Sequence, residues 1–94
     1  MATGNATLDF GAFPGSSDTS VAVTGQTGIT TSSFVEAWLV PTATADHSAD
    51  EHVVETIKVI AGNIVNGTGF TIYGVNTGNN SRIYGTWSVS WVWV

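Results

Sequence analysis

The ten residues from 85 to 94 constrain the fold more than any other part of the chain. They read Gly-Thr-Trp-Ser-Val-Ser-Trp-Val-Trp-Val, so bulky and small polar residues largely alternate with a period of two. Successive side chains of a strand point to opposite faces, whereas a helix would scatter the tryptophans around its axis. We therefore predict a strand that carries Trp87, Trp91 and Trp93 on one face. That face needs another surface to cover it.

Shorter segments with strand character fill the rest of the chain, separated by turn signals such as Pro14-Gly15 and Asn66-Gly67. Residues 53–61 could form a helix, but their β-branched content favours a strand. The spacing of strands and turns is typical of a small antiparallel β-sandwich or jelly-roll-like fold with about seven strands. We expect one all-β domain over residues 1–94, with residues 1–5 as a frayed arm. The clearest strands are predicted at 6–10, 18–24, 33–40, 53–61, 70–75 and 82–94.

The segment from 33 to 40 carries bulky side chains on both of its faces. Leu39 lies on one face and Trp38 on the other. A strand with two apolar faces is usually buried on both sides. This pattern favours either a central strand or a strand that a neighbouring subunit covers.

Charge is scarce in this chain and excludes several classes of partner. Charged residues make up 10% of the sequence, and Lys58 and Arg82 are the two basic residues against seven acidic ones. A net charge of −5 argues against binding to nucleic acid or to anionic membranes, because basic residues supply most of that affinity. A surface with so few charges is poorly solvated, so we expect a homo-oligomer, with a trimer favoured.

The segment from 46 to 52 is the one chemically dense part of the sequence. It holds two histidines and three carboxylates, and His47, His52 and Asp50 could ligate a divalent metal at a subunit interface. The other interpretation is a solvated polar loop that forms hydrogen bonds between subunits. The spacing matches no standard catalytic motif, and no serine lies in a Gly-x-Ser-x-Gly context. We therefore expect no enzymatic activity and, apart from such a metal, no cofactor.

The aromatic residues allow two interpretations. Tryptophan supplies a large rigid area to a core or a subunit interface, and the residues predicted to do so are Trp38, Trp87, Trp91, Trp93 and Val94. Exposed aromatic rings could instead form a platform for sugar binding. The polar groups that could assist such a platform are Asn79, Asn80 and Arg82.

Several segments resemble small proteins encoded in tailed-bacteriophage genomes. The similar segments are residues 33–38, the polar loop 46–52, residues 61–72 and the closing Trp-Val-Trp-Val. The resemblance implies a structural protein of the virion, most directly a capsid cement or decoration protein that contacts the major capsid protein. The alternative it implies is a tail or fibre component, including a receptor- or glycan-binding module. Either role places the protein in the virion, after a soluble stage in the host cytoplasm.

Overall fold

The computed structural model of the protein describes residues 1–78 and 82–94. Within these residues strands are the main regular structure and one short helix is present, so the predicted all-β class is confirmed. Six strands are present among the described residues, where the sequence predicted about seven. The elements are β1 (Ala2–Asp9), β2 (Asp18–Val23), β3 (Val35–Leu39), α1 (Ala49–Val54), β4 (Ile57–Val65), β5 (Gly69–Asn76) and β6 (Thr86–Trp93).

The strands form two antiparallel sheets of three strands each. Sheet I has the order β1-β6-β3, and sheet II has the order β2-β5-β4. The tryptophan strand β6 is therefore the centre of sheet I. It pairs with β1 along its whole length, from Ala2 opposite Trp93 to Asp9 opposite Thr86. Strand β3, which the sequence suggested as central or covered by a subunit, is an edge strand of sheet I.

The predicted alternation along β6 builds the core. Trp87, Val89 and Trp91 are buried, while the residues between them are partly exposed. The ring of Trp91 meets Phe70 of sheet II edge-on, with the ring centroids 5.4 Å apart. Apolar side chains from both sheets thus share one cluster, whose buried members are Leu8, Phe10, Val23, Ile29, Ala37, Phe70, Ile72, Ile83, Trp87, Val89 and Trp91.

The start of the chain differs from the expected frayed arm. Residues 2–5 belong to β1 and are paired with the last residues of β6. The long edge of β6 supplies hydrogen-bond partners for this segment. Gly4 lies opposite Trp91, where its missing side chain leaves room for the indole ring.

The region after β3 also differs from the prediction. Residues 49–54 form helix α1, although the sequence suggested a polar loop to residue 52 and a strand from residue 53. Ser48 caps the helix and forms a capping box with Glu51, which stabilises the first turn. The following strand β4 extends to Val65 through a bulge after Gly62, and the predicted Asn66-Gly67 turn then leads into β5.

Candidate functional site

The central strand β6 is longer than its neighbour β3. Strand β3 ends at Leu39, and Pro41, which lacks an N–H group, follows shortly after. On this side of β6 the Ser88 carbonyl still accepts the N–H of Val40 at 2.9 Å, but no strand continues beside the Ser88 N–H or the backbone of Thr86. Unpaired backbone groups of this kind are costly where water is excluded, so other partners must supply the hydrogen bonds.

Side chains from the segment 42–52 take the place of the missing strand. The N–H of Thr86 donates to Oδ2 of Asp46 at 2.9 Å, and the Thr44 hydroxyl donates to the carbonyl of Thr86 at 2.8 Å. One step further along β6, the N–H of Ser88 donates to Nε2 of His52 at 3.0 Å. The polar loop is thus attached to the central strand by specific side-chain contacts.

His52 is buried, with 4% of its surface exposed, and both of its ring nitrogens are bonded. Because the Ser88 N–H is a donor, Nε2 of His52 must accept. The proton therefore lies on Nδ1, which donates to the carbonyl of Ser48 at 2.8 Å. The ring also meets Trp87 edge-on, with centroids 4.9 Å apart. This residue joins α1 to β6.

His47 is also buried, against a face of the same indole ring. Its imidazole stacks on Trp87 with the centroids 3.8 Å apart and the planes at 19°. Nε2 donates to the Tyr84 carbonyl at 2.6 Å, and Nδ1 lies 3.1 Å from Oε2 of Glu51. Six residues make up what we call the histidine–tryptophan cluster: Asp46, His47, Glu51, His52, Tyr84 and Trp87.

Two carboxylates of the cluster are stabilised in their ionised form. The backbone N–H and then the hydroxyl of Thr86 hold the pKa of Asp46 below its usual value, with a smaller contribution from the charge of His47. The backbone N–H of Ser48, followed by the hydrogen bond to His47, lowers the pKa of Glu51 in the same way. Hydrogen bonds donated to a carboxylate favour its charged form.

These pKa shifts predict a loss of stability in acid. A carboxylate whose pKa is lower in the folded chain than in the unfolded chain stabilises the fold at pH values above its unfolded pKa. For Glu51 that unfolded pKa is 4.5. That contribution disappears as the pH falls through the folded pKa. We expect the free energy of unfolding, measured with urea between about pH 7 and about pH 3, to fall less in Glu51→Gln than in the wild type. Glutamine keeps the capping hydrogen bonds but does not titrate.

The matched control for this measurement is Glu36→Gln, on the exposed outer face of β3. It removes one carboxylate without touching the cluster and should retain the acid dependence of the wild type. An equal acid dependence in Glu51→Gln and in the wild type would contradict the assignment.

A shallow pocket of about 150 Å³ lies beside the cluster. Arg82, one of the residues predicted for glycan binding, lies at this pocket with Glu51 and Glu55. Asn79 and Asn80, the other two, lie outside the described residues. Arg82 therefore shares the lining of this pocket with two carboxylates and with the aromatic residues Tyr84 and Trp87.

The three predicted metal ligands have different surroundings. His47 and His52 flank Trp87 and bond to protein groups, whereas Asp50 is exposed in the first turn of α1. Across residues 1–78 and 82–94, no three His, Asp or Glu side chains are grouped as metal ligands would be. The metal site at a subunit interface stays a prediction.

The residues predicted for packing separate into three groups by exposure. Trp87 and Trp91 are buried in the core. Trp93 is partly buried, and its Nε1–H donates to Oε1 of Gln26 at 2.9 Å. Trp38 and Val94 remain 45% and 64% exposed, so they are available for contacts outside the chain.

Sequence reasoning missed the helix of the cluster, although a signal for it exists. Ser48-Ala49-Asp50-Glu51 fits the Ser-x-x-Glu pattern of a capping box. Thr44 and Asp46 carry no such local signal, because their partner Thr86 lies about forty residues away in sequence. Their role becomes visible once β3 is known to end at Leu39.

The polar groups of the cluster are thus largely bonded within the chain, in the manner of a structural network. None of the helices in the described part of the chain has the length and apolar character needed to cross a bilayer. Comparison of the chain with protein-family models, with curated proteins and with solved structures found no match.

Proposed function

We propose that the chain is a structural protein of a tailed-bacteriophage virion and acts through protein–protein contacts. Its two sheets form a jelly-roll-like β-sandwich that carries contact surfaces on its outer faces. Capsid cement or decoration is the leading role, with a tail or fibre component as the alternative. The outer face of sheet II is the single observation that carries this proposal.

The outer face of sheet II is apolar at its centre. Ile60, Tyr73 and Val75 are 48%, 39% and 41% exposed and lie on the neighbouring strands β4 and β5. Such adjacent exposed apolar side chains are characteristic of surfaces that bind another protein. A small domain with this surface gains buried area by joining an assembly.

The distribution of polar groups supports the same role. The histidine–tryptophan cluster uses its hydrogen-bonding groups to hold the loop and α1 on β6. The outer face of sheet II carries Asp18 and Lys58, and that of sheet I carries Asp9 and Glu36, in a chain with 10% charged residues. Contacts of low charge density tolerate close packing between many copies, because few ions must be desolvated.

A specific feature of sheet I favours glycan binding as a second candidate function. Trp38, Ser90 and Asn5 form a row across the outer face, and the Ser90 hydroxyl donates to Oδ1 of Asn5 at 2.7 Å. A groove of about 220 Å³ beside this row includes Thr7 and Ser88. An exposed indole next to hydroxyl and amide groups can stack on a sugar ring and bond to its hydroxyls. This arrangement would serve a fibre component.

Purified particles of the phage that carries the gene provide the test. Quantitative mass spectrometry and immunogold electron microscopy should find the protein on the head, in a stoichiometric ratio to the major capsid protein. Labelling of the tail or fibre, together with quenching of wild-type but not Trp38→Ala fluorescence by host surface polysaccharide, would favour the second candidate. Absence of the protein from the particles would contradict both roles.

A further inference from the structure

We propose that the outer face of sheet II binds the same face of a second copy of this chain, about a twofold axis that runs along β5. This inference rests on the proposed function and names one of its partners. The contact produces a dimer, whereas the sequence favoured a trimer.

The strand register places an ordered set of side chains on this face. Asp18 of β2 and Lys58 of β4 both lie opposite Val75 of the central strand β5. Residues directly opposite each other in a sheet point to the same side, so these three form one row across the face. All three are exposed.

The next row across the sheet is uncharged. It consists of Ser20, Tyr73 and Ile60, again with the β5 residue in the middle. The centre of the face is therefore apolar along β5, while a single negative charge lies on the β2 side and a single positive charge on the β4 side. Lys58 forms no ion pair with any described residue of its own chain.

This charge pattern is complementary to itself in one orientation. Rotation by 180° about an axis along β5 places the β2 side of one copy over the β4 side of the other. Asp18 of each copy then faces the partner's Lys58, and Val75 faces the partner's Val75 across the axis. An axis across the strands would instead put Asp18 over the partner's Asp18, so the charges select the axis along β5.

The dimensions of the face are compatible with this contact. Facing sheets pack about 10 Å apart with their strands aligned to within about 30°. Side chains of the length of lysine and aspartate can meet across that gap at the two flanks, while Tyr73 and Val75 fill the centre. A face of three strands, about 14 Å by 26 Å, is smaller than a standard interface. We therefore expect a dimer that dissociates on dilution and is reinforced by high local concentration in an assembly.

Charge reversal tests the axis directly. In Lys58→Asp the introduced carboxylate faces the partner's Asp18. In Asp18→Lys the introduced amine faces the partner's Lys58. Because of the twofold axis, each repulsive contact occurs twice in the dimer. We expect sedimentation velocity between about 1 µM and about 1 mM to show a dimer for the wild type and a dissociation constant about tenfold higher or more for each variant. The double variant Asp18→Lys/Lys58→Asp restores opposite charges and should return to within about threefold of the wild type.

The matched control is Glu36→Lys, which makes the same kind of charge reversal on the outer face of sheet I and should leave the dimer unchanged. Circular dichroism and thermal unfolding of each variant confirm that the fold is retained, as expected for exposed positions. A wild type that stays monomeric, single variants that dimerise like the wild type, or a double variant that is not restored would each overturn the inference. Suppose that an oligomer forms whose dissociation constant these substitutions leave unchanged, and that the protein is found on particles. The outer face of sheet II is then excluded as the contact between copies, while the proposed function stands.

Discussion

Replacement of Trp87 by alanine should lower the free energy of unfolding by about 3–5 kcal/mol. Trp87 is 1% exposed and lies near the start of β6, the central strand of sheet I. Its ring is stacked on His47 and meets His52 edge-on. The substitution leaves a cavity and also removes the surface against which both buried histidines pack. Urea unfolding followed by far-ultraviolet circular dichroism measures the loss without relying on indole fluorescence.

The same substitution at Trp38 is the matched control. Trp38 lies on the outer face of the edge strand β3 and is 45% exposed, so its removal creates no enclosed cavity. We expect a loss of less than about 1 kcal/mol in the isolated chain. Equal losses at Trp87 and Trp38 would contradict the assignment of Trp87 to the core.

Gly15→Ala should be far more damaging than Gly25→Ala. The two glycines have nearly identical positive φ angles, 76° and 77°, so alanine carries the same left-handed backbone cost of about 1–2 kcal/mol at both. A Cβ on Gly25 would meet nothing within 4 Å, whereas one on Gly15 would overlap the Ile83 carbonyl. The neighbouring Ser16 forms a two-bond bridge with Ile83, which holds the backbone close.

The overlap should add about 1–3 kcal/mol at Gly15 beyond the shared backbone cost. The difference between the two variants in urea unfolding measures this packing contribution alone, because the left-handed cost cancels. Variants of equal stability would show that the segment around Ile83 moves away without cost.

Local sequence patterns predicted the parts of the fold that depend on period and turn chemistry. The alternation along β6 correctly indicated burial of Trp87 and Trp91, and Asn66-Gly67 correctly indicated a turn before β5. The pattern around Trp38 left two possibilities, a central strand or a strand that a neighbouring subunit covers. The central position is wrong, since β3 is an edge strand, and the second possibility stays a prediction. Strand order depends on pairing between distant segments, which a periodic pattern does not encode.

The candidate site was predictable only in outline. The density of polar groups at 46–52 suggested either a metal site or a solvated loop. The solvated loop is wrong for the histidines, which are buried and bond within the chain. What these groups bond to depends on the early end of β3, which leaves the backbone of Thr86 and the N–H of Ser88 without a strand partner. The capping box at Ser48 is a local signal, whereas the contacts of Asp46 and His52 with β6 come from tertiary structure.

The pairing of β1 with β6 has a consequence for how the chain folds. Ala2 lies opposite Trp93, and the side chains of Asn5 and Ser90 bond across 85 positions. Contacts of such wide sequence separation raise the relative contact order and require the entropy of closing a long loop to be lost before they form. Sheet I should therefore assemble late and slowly compared with the β4–β5 hairpin. Its central strand β6 is paired on one side only after β1, from the other end of the described chain, has joined it.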